Sequence, residues 1–289
     1  MSRPLDPTAL RRALVVDHGL WTVLDVVERT GSTNADLVAA ARAGGPEGRV
    51  LVAEHQYAGR GRAGRTWSTP PYAGLAVSVL LRPGAGADTG ADTDTDTGPG
   101  YRPSVPAGRW GWLPLLGGVA LVDAVGEVAG LDARLKWPND VLVDGDKCAG
   151  ILAESTGEAV VLGIGVNVTQ GAGDLPSPAP DAVPATSLAL AGADHPDRQA
   201  LLRALLGRLA DWYTRWCAAA GDADGCGLRA AYLAGSATVG RAVRVLLPGG
   251  GELTGEAVTV DSDGRLVLRA PDGEPRTVAA GEVVHLRPA

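Results

Sequence analysis

Phenylalanine is absent from the 289 residues, methionine occurs once and lysine only twice. Cysteine and histidine are scarce as well. Cys148, Cys217 and Cys226 form no CxxC pair, and His18, His55, His195 and His285 form no HxxxH, which speaks against a zinc site or a disulfide scaffold. No stretch reaches the ~18 uninterrupted apolar residues of a membrane-spanning helix, so no membrane association is expected. The start has two adjacent arginines and then only the short run Ala13-Leu14-Val15-Val16 before Asp17, too little apolar chain for a signal peptide. A cytoplasmic protein is the expectation. A net charge of −7 supplies no global basic field to draw nucleic acid, although a local basic patch remains compatible with it.

The basic residues that are present say more. Of 26, the two lysines subtracted leave 24 arginines, and Lys136 and Lys147 stand close together. In a chain so biased toward Arg, a position that keeps Lys points to a need for a compact ammonium rather than a planar fork.

Length beyond the ~100–200 residues of one domain suggests one large domain and a small appendage. Asp6-Pro7 is a helix start, N-cap then first-turn proline, with Gly19 as its stop. Residues 21–28 alternate as a strand, Ser32-Thr33-Asn34 opens a short helix closed by Gly44-Gly45, and 49–56 and 74–82 read as strands around a Gly/Arg/Pro-rich loop at 57–73. Residues 84–100 contain acidic and small residues without a large apolar side chain and read as a disordered insertion. Helical spacing over 113–130 ends at Gly130. A strand then leads into a hairpin turning at Asp144-Gly145, followed by a strand at 159–168, a loop at 171–184 long enough for a lid, and an amphipathic helix capped by Asp197. Beyond Gly235, five short alternating runs separated by glycine-rich turns predict a small β-barrel. The predicted division is therefore 1–235 and 236–289.

Gly59-Arg60-Gly61-Arg62-Ala63-Gly64 satisfies GxGxxG, and with Arg65 and Thr66 it nearly satisfies a P-loop. Both motifs require a helix starting at the last glycine, whereas Trp67, Pro70 and Pro71 follow and lead into a strand. The surviving physical content is a phosphate-cradling loop, with glycines for backbone approach and arginines as forks. Lys136-Trp137-Pro138-Asn139-Asp140 adds an amide and a carboxylate at a strand end, where Asp140 is a candidate Mg²⁺ ligand. Lys147, just past the hairpin turn, is placed to reach the same anion.

Taken in order, Ser32-Thr33-Asn34, Gln56 before the GRGRAGR loop, KWPNDV, Lys147-Cys148-Ala149-Gly150-Ile151 and Gly163-Ile164-Gly165-Val166-Asn167 resemble the motif series of biotin protein ligases. The resemblance covers roughly residues 20–170. It implies an α+β fold: a mixed β-sheet packed with helices on one side, as in class II aminoacyl-tRNA synthetases and biotin/lipoyl ligases, followed by an SH3-like β-barrel. It also implies two-step acyl transfer, in which biotin and ATP give biotinyl-5′-AMP and pyrophosphate, and a lysine of the biotin carboxyl carrier domain of an acyl-CoA carboxylase takes the biotinyl group. On this resemblance Ser32, Thr33, Asn34, Gln56, Gly59 and Gly150 belong to biotin, and Arg60, Gly61 and Arg62 wrap the acyl-phosphate. Lys147 lies at the carboxylate and phosphate, Trp67 at adenine, and Arg65, Lys136, Asn139, Asp140 and Asn167 on the ATP side, with Mg²⁺ at Asp140. Arg62, Lys147 and Asp140 are the expected catalytic residues.

Ala63 stands where many members carry a further arginine, so that position is expected to be peripheral. Cys148 is expected to be a buried small hydrophobe. Only 31 residues precede Ser32, too few for a winged helix-turn-helix, so a monofunctional ligase without DNA binding is expected. A lipoate or octanoate ligase on the same scaffold and a noncatalytic nucleic-acid module are the rival readings.

Overall fold

The computed structural model describes residues 3–84, 103–177 and 182–286. Except for Gly84, the predicted insertion at 84–100 lies outside the described residues, as do 178–181 of the predicted lid. Helix α1 spans Pro7–Leu14, and Asp6 Oδ1 accepts from the Thr8 and Ala9 amides, as the Asp-Pro start required. It ends at Leu14 rather than Gly19, because Val15 already has an extended backbone. Strand β1 (Val23–Thr30), helix α2 (Thr33–Arg42), β2 (Arg49–Gln56) and β3 (Gly74–Leu81) follow. Next come α3 (Trp112–Ala129), β4 (Ala133–Lys136), β5 (Asp140–Val143), β6 (Asp146–Thr156) and β7 (Ala159–Asn167). Gly130 closes α3 in the left-handed conformation, with φ +65°.

These strands form one seven-stranded sheet in the order β1-β2-β3-β7-β6-β5-β4, with β1 and β2 parallel and the other neighbours antiparallel. The β5–β6 turn has Asp144 at φ +51° and Gly145 at φ +88°, the paired positive φ values of a type I′ hairpin. Helix α4 (Arg198–Ala218) follows, capped by Asp197, and then α5 (Leu228–Gly235), which the sequence reading did not anticipate.

Alternation along β3 and β7 sends side chains to both faces. Val79, Leu81, Val160 and Leu162 join the core with α1, α3, α4 and α5, whereas Leu80 and Val161 pack with Leu37 and Ala41 of α2. Helices therefore cover both faces, and the expectation of one helical side is corrected by α2. Helix α3 is long and apolar enough to cross a membrane, but its residues are mostly buried in this core, the condition of a core helix in a globular fold.

The C-terminal strands β8 (Ala242–Leu246), β9 (Glu252–Val260), β10 (Leu266–Arg269), β11 (Pro275–Val278) and β12 (Glu282–His285) form a second, wholly antiparallel sheet in the order β11-β10-β9-β8-β12. This is the expected SH3-like element. It is docked rather than tethered: Trp112 Nε1 donates to Ser262 O (2.8 Å), Trp137 Nε1 to Gly264 O (3.2 Å) and Arg229 Nε to Val260 O (2.6 Å).

Candidate active site

A cavity of about 370 Å³ opens on the α2 face of the large sheet, beyond the N-terminus of α2. Space exists there because the floor is built of small residues: Ala76 on β3, Gly150 on β6, and Gly163 and Gly165 on β7. A Cβ on Gly163 would overlap the Asn34 amide, and one on Gly165 would overlap the Trp67 indole. Strand glycines that admit another group so closely mark a designed approach rather than a weak strand.

One end of the cavity is a polar cluster on regular elements. Ser32 is the N-cap of α2, and the Thr33 backbone N–H and hydroxyl both reach Gln56 Oε1, at 2.8 and 3.0 Å. The amide Nδ2 of Asn34 donates to Glu154 Oε2 (2.8 Å) and Leu152 O (3.3 Å), and Asn34 Oδ1 lies 2.6 Å from the Ser78 hydroxyl, itself 2.7 Å from Thr33 Oγ1. Both Asn34 donors are thus committed within the protein. Asn34 braces the turn against β6 and lines the cavity together with Ser32, Thr33 and Gln56. Ser78 and Glu154 were missed from sequence. A signal for Ser78 was available, since it is the one hydroxyl in an otherwise apolar strand and is fully buried.

The other end is cationic. The loop 60–66 closes through Gly61 N to Arg65 O (2.7 Å) and an Arg60–Thr66 bridge, with Ala63 and Gly64 at positive φ on an exposed tip. Only a three-residue 3₁₀ turn lies within it, which removes the Rossmann and P-loop readings. Ala63 lies on the exposed tip, outside the cavity lining. Arg62 Nη1 donates to Asn139 Oδ1 (3.1 Å) and to Gly281 O of the C-terminal sheet (3.4 Å), and Arg65 pairs with Glu282 at 2.8 Å. No sequence motif announced that the small domain completes this wall.

Asp140 sits between the two lysines, with Lys147 Nζ at 2.6 Å and Lys136 Nζ at 4.0 Å. Burial pulls the Arg62 guanidinium and the Lys136 ammonium below their usual pKa values, and the nearby Asp140 carboxylate opposes that shift. Three cations around one carboxylate leave an excess of positive charge, suited to a carboxylate and phosphates. Asp140 Oδ1 is the carboxylate oxygen at Lys147 Nζ, so a divalent ion at Asp140 would share that carboxylate with an ammonium. Among the described residues no group of three or more His, Cys, Asp or Glu could hold a metal.

The remaining sequence-predicted residues divide clearly. Arg60, Gly61, Arg62, Arg65, Asn139, Lys147, Gly150 and Asn167 line the cavity, while Gly59, Lys136 and Asp140 stand behind it. Gly59 is backbone-paired to Trp67 (3.0 Å), and a Cβ there would overlap the Trp67 carbonyl oxygen. Trp67 lies against Gly150 and Gly165, with Lys147 Nζ 6.0 Å from its ring centroid, so it covers the middle of the floor beside residues expected for biotin as much as those for adenine. Asn167 is buried, donates to Thr186 O (2.9 Å) and accepts from Gln170 (3.0 Å), anchoring the 183–186 segment that forms a rim. Cys148 is buried, and its thiol is pushed up to about 12, an inert core residue as expected.

Residues 238–286 match the biotin protein ligase C-terminal domain, and residues 100–170 match the biotin/lipoate A/B protein ligase family. The chain is 42% identical to a biotin–[acetyl-CoA-carboxylase] ligase of Mycobacterium tuberculosis over 98% of its own length and 97% of that protein's. The chain belongs to the biotin protein ligase family. A biotin–[acetyl-CoA-carboxylase] ligase of Paracoccus denitrificans is 35% identical, over 89% of this chain and 98% of that one. The fold agrees with a biotin protein ligase from Aquifex aeolicus solved with biotin and ATP: TM-score 0.69, 26% identity, covering 93% of this chain and 100% of that one. In a biotin protein ligase, a cavity with an amide- and hydroxyl-lined end and a cationic end has an immediate reading.

Proposed function

We propose that the protein is an ATP-dependent biotin–[biotin carboxyl carrier] ligase, with residues 1–235 as the catalytic domain and 236–289 as the appended small domain. One observation carries the reading: a single cavity joins a polar end fit for the ureido ring to a cationic end fit for a carboxylate and phosphates. The relatives named for biotin–[acetyl-CoA-carboxylase] ligation, and the Aquifex structure with biotin and ATP, support carrying those substrates over.

In the first step a biotin carboxylate oxygen attacks the α-phosphorus of ATP, a P–O bond forms, and pyrophosphate leaves with the electrons of the broken bond. In the second step the uncharged amine of the carrier lysine attacks the acyl carbon, AMP departs, and the amine proton passes to solvent. No enzyme nucleophile is needed; the work is positioning and charge stabilisation. Ser32, Thr33, Asn34 and Gln56 hold the ureido ring. Trp67 covers the acyl chain across the glycine floor. Arg60, Gly61, Arg62 and Lys147 bind the carboxylate and α-phosphate, and Asp140 holds Lys147 in place. Arg65, Asn139 and Asn167 line the nucleotide side. The magnesium that accompanies ATP would offset phosphate charge at this end, with Asp140 as the carboxylate that would hold it. We place the reaction in the cytoplasm and assign no DNA-binding role to the chain.

The test is ATP–pyrophosphate exchange driven by biotin, with lipoate in parallel. Exchange with biotin alone is expected. Exchange with lipoate alone, or with neither acid, would overturn the reading.

A further inference from the structure

The Lys136–Asp140 turn lies at the seam between the domains, and two residues outside the cavity hold it. The buried Trp137 N–H donates to Thr238 Oγ1 at 3.1 Å. Thr238 is itself fully buried, on the short segment between α5 and β8 that runs beside β4: Ala237 N donates to Leu135 O (2.7 Å), and Ser236 pairs with Leu135 in parallel. The second partner of the Thr238 hydroxyl is Nε2 of His285, at 3.1 Å, on the last strand β12. A hydroxyl has one proton and two lone pairs, so Thr238 can accept from Trp137 and give its own proton to a neutral imidazole. Burial and the nearby Lys136 and Arg241 push the His285 pKa down to about 4, which keeps that imidazole neutral.

We propose that Thr238 and His285 are positioning residues for adenylate formation: they fix the Trp137 backbone and so aim Asn139 at Arg62 and Asp140 at Lys147. Neither touches substrate. The inference rests on the ligase reading and deepens it, because it makes the small domain part of the nucleotide end through β12. The turn is also held from β6, where Asn139 Nδ2 donates to Ile151 O (2.9 Å) and the Ile151 amide to Asn139 O (2.9 Å). Release from Thr238 therefore shifts the turn without detaching it, and the ureido end, anchored on α2, β2, β3 and the strand bonds of β6 beyond Ile151, keeps its supports.

The experiment measures steady-state exchange and calorimetric biotin binding on the full chain. Thr238→Val keeps shape and leaves the Trp137 N–H unpaired; the KM for ATP is expected to rise about tenfold, the scale of one stranded buried donor. The biotin dissociation constant should stay within about twofold, and Thr238→Ser should restore the KM for ATP, since its hydroxyl can make both bonds. His285→Leu, at a partly exposed position, carries the same readout if Thr238→Val fails to fold, with an expected rise of about threefold. An unchanged KM for ATP in a folded variant, or ATP and biotin constants rising together without rescue by serine, would overturn the proposal. Wild-type protein that shows no biotin-dependent exchange would instead overturn the ligase reading, so the two failures are distinguishable.

Discussion

The two ends of the cavity are built differently. At the ureido end every supporting group comes from a helix cap or a strand, and the groups saturate one another while buried: Ser78, Thr33 and Asn34 are each at most 5% exposed. At the cationic end the loop 60–66 closes on itself through backbone bonds and reaches its neighbours through side chains: Arg62 to Asn139 and Gly281 O, and Arg65 to Glu282 in an ion pair whose members are 51% and 41% exposed. A pair so exposed is worth only ~0–1 kcal/mol, whereas stranding a buried polar group costs ~1–3 kcal/mol. The lesson is a division of labour. On the function proposed above, selectivity would sit on helix cap and sheet, and the arginines of the phosphate clamp on a loop held to the small domain by weaker contacts.

This contrast can be attacked directly. The largest effect is expected from Gly165→Val, which drives a branched side chain into the Trp67 indole; biotin affinity should fall at least about a hundredfold, the scale of overpacking a closed site. Near-normal calorimetric binding would show that the floor is not the biotin seat. Ser78→Ala leaves Asn34 Oδ1 and Thr33 Oγ1 short of one partner, so the KM for biotin should rise about tenfold with the KM for ATP unmoved. Equal rises in both constants would erase the distinction between the ends.

A smaller effect concerns pH and the seam. The folded-state pKa of His285, about 4, lies below the ordinary histidine value of 6.5, so the neutral ring is the one the fold prefers. Its contribution to stability is present above pH 6.5 and is lost as pH falls from there toward 4, because only the unfolded chain gains the proton in that window. Urea midpoints measured across it should decline with acid in the wild type, and His285→Gln should flatten that part of the slope; an identical slope would show His285 to be a bystander. The smallest effect is expected for Glu282→Gln, where the KM for ATP should rise less than about fivefold and the difference should vanish at high salt. A large, salt-insensitive loss would mean the loop is held far more firmly than its exposure implies.

Much of this was legible in the residues. The bounds of β2 and the Asp144-Gly145 hairpin follow from local rules, since period-two alternation and paired positive φ leave little choice. The GRGR loop and the two lysines pointed to an anion before any fold was known. What was hidden depends on distance along the chain. Arg62 meets Gly281 across 219 positions and Arg65 meets Glu282 across 217, and no window of sequence joins them. The sharing of the Asp140 carboxylate with Lys147 was hidden too: the 136–140 motif shows only Lys136, and the hairpin is what folds Lys147 to within 2.6 Å. Helix α5 escaped because Gly227, at φ +78°, offers no side-chain cap, and eight residues carry little periodic signal.

The most direct test of the divided cavity is Lys147→Ala, followed by biotin-dependent ATP–pyrophosphate exchange and by calorimetric biotin binding on the same preparation. The account predicts exchange reduced at least about a hundredfold, the loss typical of removing one charge-stabilising group, with biotin affinity weakened less than about tenfold. Biotin affinity falling in step with exchange would mean that one end of the cavity does both jobs, and the division argued above would be wrong.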